Sequence, residues 1–88
     1  MFTVYVIRSK STGRLYKGQA ENVQQRLWQH ETGMARYTRG RGPWELVLRE
    51  DYQTRAEAMS REKWLKIGKG REWLKAALSG RAGPPEAD

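Results

Sequence analysis

Residues 2–7, Phe-Thr-Val-Tyr-Val-Ile, constrain this chain more than any other stretch. All six are β-branched or aromatic, a composition that favours extended backbone. The run is apolar on both faces, so it belongs at the centre of a small sheet, with a strand on either side, rather than at an edge. Only 88 residues are available to build those neighbours. That is one domain, and a chain of this size buries only about 60–65% of its unfolded surface. Its site is therefore a shallow groove shared by most of the fold, not an enclosed cofactor pocket.

The remaining elements follow from turn and cap signals. Ser9-Lys10-Ser11-Thr12-Gly13 is a turn cluster, and Arg14-Leu15-Tyr16-Lys17-Gly18 is a short second strand that completes a hairpin. With the turn centred near residues 10 and 11, Tyr5 and Tyr16 stand opposite or nearly opposite each other on one face; a slip of one residue separates them. Asn22 is an N-cap with Gln25 at the capping-box position, and Gly33 is a stop signal. Between them Val23 and Leu27 form an apolar stripe, flanked by Arg26 and His30, each three residues further on. Residues 33–43 form a basic glycine-containing loop. Trp44–Glu50 alternates as a third strand with Trp44, Leu46 and Leu48 on one face. Thr54 and Glu57 cap a helix that runs to Ile67 and stops at Gly68. Its apolar stripe is Ala58, Met59 and Leu65, and Glu62 falls in the middle of that stripe. Residues 71–78 give a last short helix. Residues 80–88 lack apolar bulk and read as a flexible tail behind a single domain of residues 1–79. The expected architecture is α+β: a small three-stranded antiparallel sheet flanked by helices, in the order β-β-α-β-α-α.

Charge and composition narrow the chemistry. The chain has no cysteine and one histidine, which excludes disulfides, thiolate zinc, iron–sulfur clusters, a cysteine nucleophile and a His-rich metal site. It carries neither a signal-peptide core nor a membrane-length apolar run, and reads as a soluble cytoplasmic protein with no membrane partner. Seventeen Lys and Arg against ten Asp and Glu give a net charge of +7. The cations are spread along the chain, so the charge belongs to the folded surface and points to nucleic acid.

Five polar side chains sit where packing alone would not put them: Tyr5 and Tyr16 from the hairpin, Arg26 and His30 beside the buried stripe of the first helix, and Glu62 on the inner face of the second. Half-buried polar groups are costly unless paired or bound to a ligand. Each alone has an ordinary structural reading, such as strand packing for the tyrosines or an Arg26–Glu62 salt bridge. Convergence on one sheet face makes them a site.

The pattern resembles the GIY-YIG nuclease domain, and most of all its short, free-standing, excinuclease-subunit-C-like bacterial members. The likeness rests on Val4-Tyr5-Val6 and Tyr16-Lys17-Gly18 as the two signatures, Arg26-Leu27 with His30 on the helix, Pro43-Trp44-Glu45-Leu46-Val47 at the third strand, and Glu57-Ala58 with Glu62 and Lys66 on the next helix. It spans residues 2–78. Several positions depart from the usual pattern: Val4, in place of glycine, and Val6 in the first signature, Lys17 in place of an apolar residue, Gln19 where some members carry lysine, and Leu74 where many carry asparagine.

The resemblance implies a metal-dependent endonuclease acting on DNA, with RNA as the second candidate. Glu62 is then the ligand of one Mg²⁺ or Mn²⁺, in keeping with the single-carboxylate habit of Mg²⁺ sites. Arg26 clamps a phosphate oxygen. Tyr5 is the first choice of general base, Tyr16 orients phosphate or water, and His30 accepts or relays a proton; the order of these transfers stays open. Lys17, Arg36, Tyr37, Arg39, Arg41, Lys66, Lys69 and Arg71 are the expected nucleic-acid contacts, with Lys63 beside them. Such contacts give affinity without sequence information, which leaves room for a repair-protein partner. The expected state is a monomer or weak homodimer. The competing reading is a catalytically weak or inactive nucleic-acid-binding module on the same fold.

Overall fold

The computed structural model describes residues 1–79; the expected tail lies outside the described residues. Three strands, β1 (Phe2–Ser9), β2 (Leu15–Ala20) and β3 (Trp44–Tyr52), and three helices, α1 (Val23–Glu31), α2 (Arg55–Lys66) and α3 (Gly68–Ser79), follow in the order β-β-α-β-α-α. The sheet is antiparallel with the order β2-β1-β3. β1 is the central strand, as its two apolar faces require.

Alternation along β1 divides the molecule. Val4 and Val6 face α2 and α3, where Ala58, Leu65 and Leu74 close a fully buried core edged by Phe2, Leu48, Trp64 and Trp73. Burial of a leucine such as Leu65 or Leu74 contributes about 1.5–3 kcal/mol. Tyr5 and Ile7 face the other way and pack on Val23 of α1, with Tyr16, Leu27 and Trp44 around them.

The helix caps form as their residue types dictate. Asn22 accepts a hydrogen bond from the Gln25 amide at 3.0 Å. Thr54 and Glu57 make a reciprocal capping box.

Four expectations need correction. The hairpin pairs Tyr5 with Gly18 and Ile7 with Tyr16, not Tyr5 with Tyr16. The buried Ser9 hydroxyl accepts from the amides of Ser11 and Thr12 at 3.2 and 3.0 Å, and this holds a wider turn. The displacement is two residues, an even number, so both phenols keep the same face. In β3 the register shifts between Val6 and Ile7, with Leu48 opposite Val6 and Leu46 opposite Ile7. Val47 is the extra residue of this bulge. It turns Leu48 into the α2–α3 core and leaves Trp44 and Leu46 on the opposite face, so the three do not share a side. Gly68 opens α3 rather than merely ending α2: the break falls at Ile67, whose backbone is extended at φ −100°, ψ 172°. Met59 is exposed, and its expected place in the core belongs to Trp64. Among the described residues no helix is long and apolar enough to cross a membrane.

Candidate active site

The site grows from the polar side of β1. Tyr5 is 1% exposed, and its phenol lies across Gly18 on the neighbouring strand. A Cβ at position 18 would come within 2.7 Å of the Tyr5 hydroxyl. The glycine of the second signature is therefore the space that the first tyrosine occupies. Tyr16, two residues earlier on β2, places its ring 6.4 Å from that of Tyr5.

α1 closes the cluster. His30, 2% exposed, sits 2.9 Å through Nε2 from the Tyr5 hydroxyl. Its ring also lies 5.0 Å from that of Tyr16. One turn earlier, half-buried Arg26 is braced by a 2.7 Å bond from Nη1 to Gln29 Oε1. Its charge is felt by both phenols and by the imidazole.

These surroundings shift protons in opposite directions. Burial pushes the Tyr5 phenol up to about 12, with the charges of Tyr16 and Glu62 adding to it and Arg26 working against it. Burial, with the Arg26 charge second, lowers His30 to about 4. Near neutral pH the pair is thus a protonated phenol facing a neutral imidazole.

Glu62 arrives by another route. α2 packs on the Val4–Val6 face, so Glu62 and the phenols do not share a sheet face, as the sequence suggested. The Glu62 side chain is 19% exposed and accepts an ion pair from Lys66 at 2.8 Å. Its charge reaches Tyr5, but its hydrogen bond is to Lys66 and not to the phenols, Arg26 or His30.

Grooves over the edge strand β2 collect cations. One is lined by Leu15, Tyr16, Lys17, Tyr37, Lys66 and Arg71. A second, of about 400 Å³, shares Lys17 and Arg71 and adds Arg8 and Lys75 above a floor of Leu15, Leu74 and Leu78. Burial, then the neighbouring charges of Arg71 and Lys66, lower the Lys17 ammonium below its ordinary value. Tyr37 reaches within 5.4 Å of the Tyr16 ring and carries the Arg41 guanidinium over its own face at 5.1 Å. Arg39 is turned back to the Gly33 carbonyl at 3.0 Å. Arg36, Lys63 and Lys69 stand exposed, away from both grooves.

Sequence reasoning missed two residues. Lys75 was legible, since it lies four residues after Arg71 on the same helical face. Thr38 was not: it is fully buried and bonds to His30 Nδ1 at 2.7 Å, yet a threonine in a basic loop carries no periodic signal.

The donor set bears on metal binding. Among the described residues no three His, Cys, Asp or Glu side chains gather as a ligand cage. One largely buried carboxylate beside a cationic groove fits a hydrated Mg²⁺ or Mn²⁺ that takes its remaining oxygens from water and phosphate. It does not fit a structural metal.

Two phenols, an imidazole and a guanidinium thus gather beside a strand edge of an α+β scaffold, and the charge of Glu62 reaches the Tyr5 phenol. Residues 1–73 match the GIY-YIG catalytic domain, and the chain belongs to that nuclease family. Within the family it is similar to short bacterial UPF0213 proteins. One from Staphylococcus saprophyticus is 35% identical over 78 residues, covering 88% of this chain and 94% of the relative. Another, from Oceanobacillus iheyensis, is 43% identical over 60 residues, covering 67% and 69%. The solution NMR structure of a UPF0213 protein from Bacillus halodurans aligns with a TM-score of 0.54 at 35% identity, over 98% of this chain and 92% of that one. Nucleases of the family are generally dependent on a divalent metal.

Proposed function

We propose that the protein is an endonuclease that hydrolyses DNA phosphodiester bonds, with Glu62 as the carboxylate for one Mg²⁺ or Mn²⁺. The observation that carries this reading is the 2.9 Å contact between the Tyr5 hydroxyl and a neutral His30, beside Arg26. A phenol near pH 12 is a poor base unless its proton has somewhere to go, and His30 Nε2 is that place. Tyr5 acts as general base by passing its proton to His30 as it takes one from water. Arg26 lies beside the phenols and offers its planar donor fork to a phosphate oxygen. Tyr16, half-exposed at the groove, orients phosphate or water. Lys17, Lys66 and Arg71 hold the backbone along the β2 edge, and Tyr37 with Arg41 borders the other side. A bound divalent ion supplies charge neutralisation at the phosphate and stabilises the leaving oxygen.

This assignment implies low sequence specificity, because the grooves hold cations rather than a base-reading helix. Selection by DNA structure, or by a repair or recombination partner, fits such a surface. RNA is the alternative polymer. A second reading, a binding module with weak catalysis, draws on Leu74: at 1% exposure it belongs to the apolar core and offers no ligand where many relatives carry asparagine.

Incubation with flaps, junctions, single strands and duplexes in Mn²⁺ separates the two. The nuclease reading expects cleavage that stops in EDTA and is lost in Glu62→Ala while binding persists. Retarded but uncut substrate under every metal condition establishes the binding module.

A further inference from the structure

The loop between α1 and β3 is read above as a source of phosphate contacts, yet at its centre Thr38 is fully buried. Its hydroxyl oxygen lies 2.7 Å from His30 Nδ1 and 3.4 Å from the Ala35 carbonyl. Its own carbonyl accepts from the Trp44 indole at 3.3 Å, which ties the loop to the start of β3. Buried hydrogen-bonding groups have few ways to be satisfied, and here the ways can be counted.

Tyr5 has one hydroxyl hydrogen. Among the described residues the acceptor within hydrogen-bond distance is His30 Nε2; the neighbouring Arg26 can only donate. The phenol therefore donates to Nε2, which must be unprotonated. A neutral imidazole then carries its hydrogen on Nδ1 and donates it to Thr38 Oγ1. That oxygen, already accepting, turns its single hydrogen to the Ala35 carbonyl. Reversing the Thr38–His30 bond puts a hydrogen on Nε2 and leaves the buried Tyr5 hydroxyl with nothing to donate to. An unmet buried donor costs about 1–3 kcal/mol, so the chain of bonds runs in one direction.

We propose that Thr38 is a positioning residue, which fixes His30 as the Nδ1–H tautomer and so makes Nε2 the acceptor for the Tyr5 proton. This rests on the reading of Tyr5 and His30 as the catalytic proton path. When the proton moves, the Tyr5 O–H bond breaks and an Nε2–H bond forms, giving phenolate beside Arg26 and imidazolium. The Nδ1–H bond to Thr38 then becomes charge-assisted. The loop that holds Thr38 also presents Tyr37, with Arg41 stacked on its ring, to the groove beside Tyr16, so substrate contact and tautomer control share one short segment.

The chain contains a single histidine, so two-bond proton–nitrogen NMR of the full ¹⁵N-labelled protein, without metal or substrate at pH 7, reports on His30 alone. The expected spectrum shows Nδ1 protonated and Nε2 as the bare nitrogen. Thr38→Val should move it toward the Nε2–H form, and Thr38→Ser should restore the wild-type pattern. In cleavage assays Thr38→Val should lose about 10- to 100-fold, the scale seen when a hydrogen-bond partner of a metal-bound histidine is removed, with Thr38→Ser near wild type. Protonated Nε2 in the wild type, or a Thr38→Val spectrum identical to it, overturns the proposal. If Thr38→Val does not fold, the wild-type tautomer decides alone. Absence of wild-type cleavage overturns the nuclease reading instead, and the tautomer measurement is made without it.

Discussion

Val4 and Val6 look into an apolar slab closed by Ala58, Leu65 and Leu74. Tyr5, lying between them in sequence, looks into a network closed by His30 and Thr38. Both sides of β1 are buried to the same degree, yet one is held by packing and the other by directed hydrogen bonds. Packing tolerates exchange of one hydrocarbon shape for another of similar volume. A buried network tolerates little, since removing one member strands its partners. Along β1 the two-residue period thus sets an apolar packing face against a hydrogen-bonded one. Damage to the two faces should therefore be distinguishable by whether stability or cleavage fails.

Glu62 gives the largest split. Glu62→Ala should lower cleavage on the order of a thousandfold, as expected when transition-state charge loses its metal-borne stabilisation, while thermal melting stays close to wild type. Equal loss of melting temperature and cleavage would place Glu62 in the structural half of the molecule. Leu74→Ala should do the reverse, destabilising by about 2–5 kcal/mol, read from urea denaturation, with cleavage per folded molecule retained. Tyr5→Phe tests the boundary. Cleavage should fall about 10²-fold or more with the loss of an acid–base group, while stability falls by about 1–3 kcal/mol, the cost of leaving the buried His30 Nε2 without its donor.

Acid sharpens the contrast next. His30 is lowered to about 4 in the folded chain from an ordinary 6.5. Between those values the unfolded state binds the proton and the folded state does not, so stability falls as pH drops from 6.5 toward 4. The contribution is on the order of 3 kcal/mol at most, and it should be absent from His30→Gln when melting is compared at pH 7 and pH 4.5. The smallest effect belongs to the groove. Arg71→Gln should reduce the salt slope of DNA binding by about one, without altering melting.

Much of this division was legible in the residues. The apolar run of β1 announced a central strand, and Asn22 and Thr54 announced two helix starts, because these signals act within a few residues of where they are written. Tyr5, Tyr16, Arg26, His30 and Glu62 stood out as polar groups on faces that should be buried. What escaped depended on distant parts of the chain. The hairpin register turned on the Ser9 hydroxyl gathering its own turn, and the face assignment of Leu48 turned on the bulge at Val47. Glu62 was expected on the phenols' own face, since nothing local says that α2 crosses to the other side of the sheet. Thr38 matters only through His30, which no spacing rule connects to it.

Gly70 is buried where α3 crosses the end of α2, and a methyl group there would collide with the Trp64 carbonyl. That carbonyl is backbone and has nowhere to retreat. Arg71, the very next residue, takes its direction into the groove from this seat. The aim of a guanidinium at this cation-lined edge is thus set by the smallest atom in the molecule, and the elbow between the two helices has no play to lend to any larger replacement.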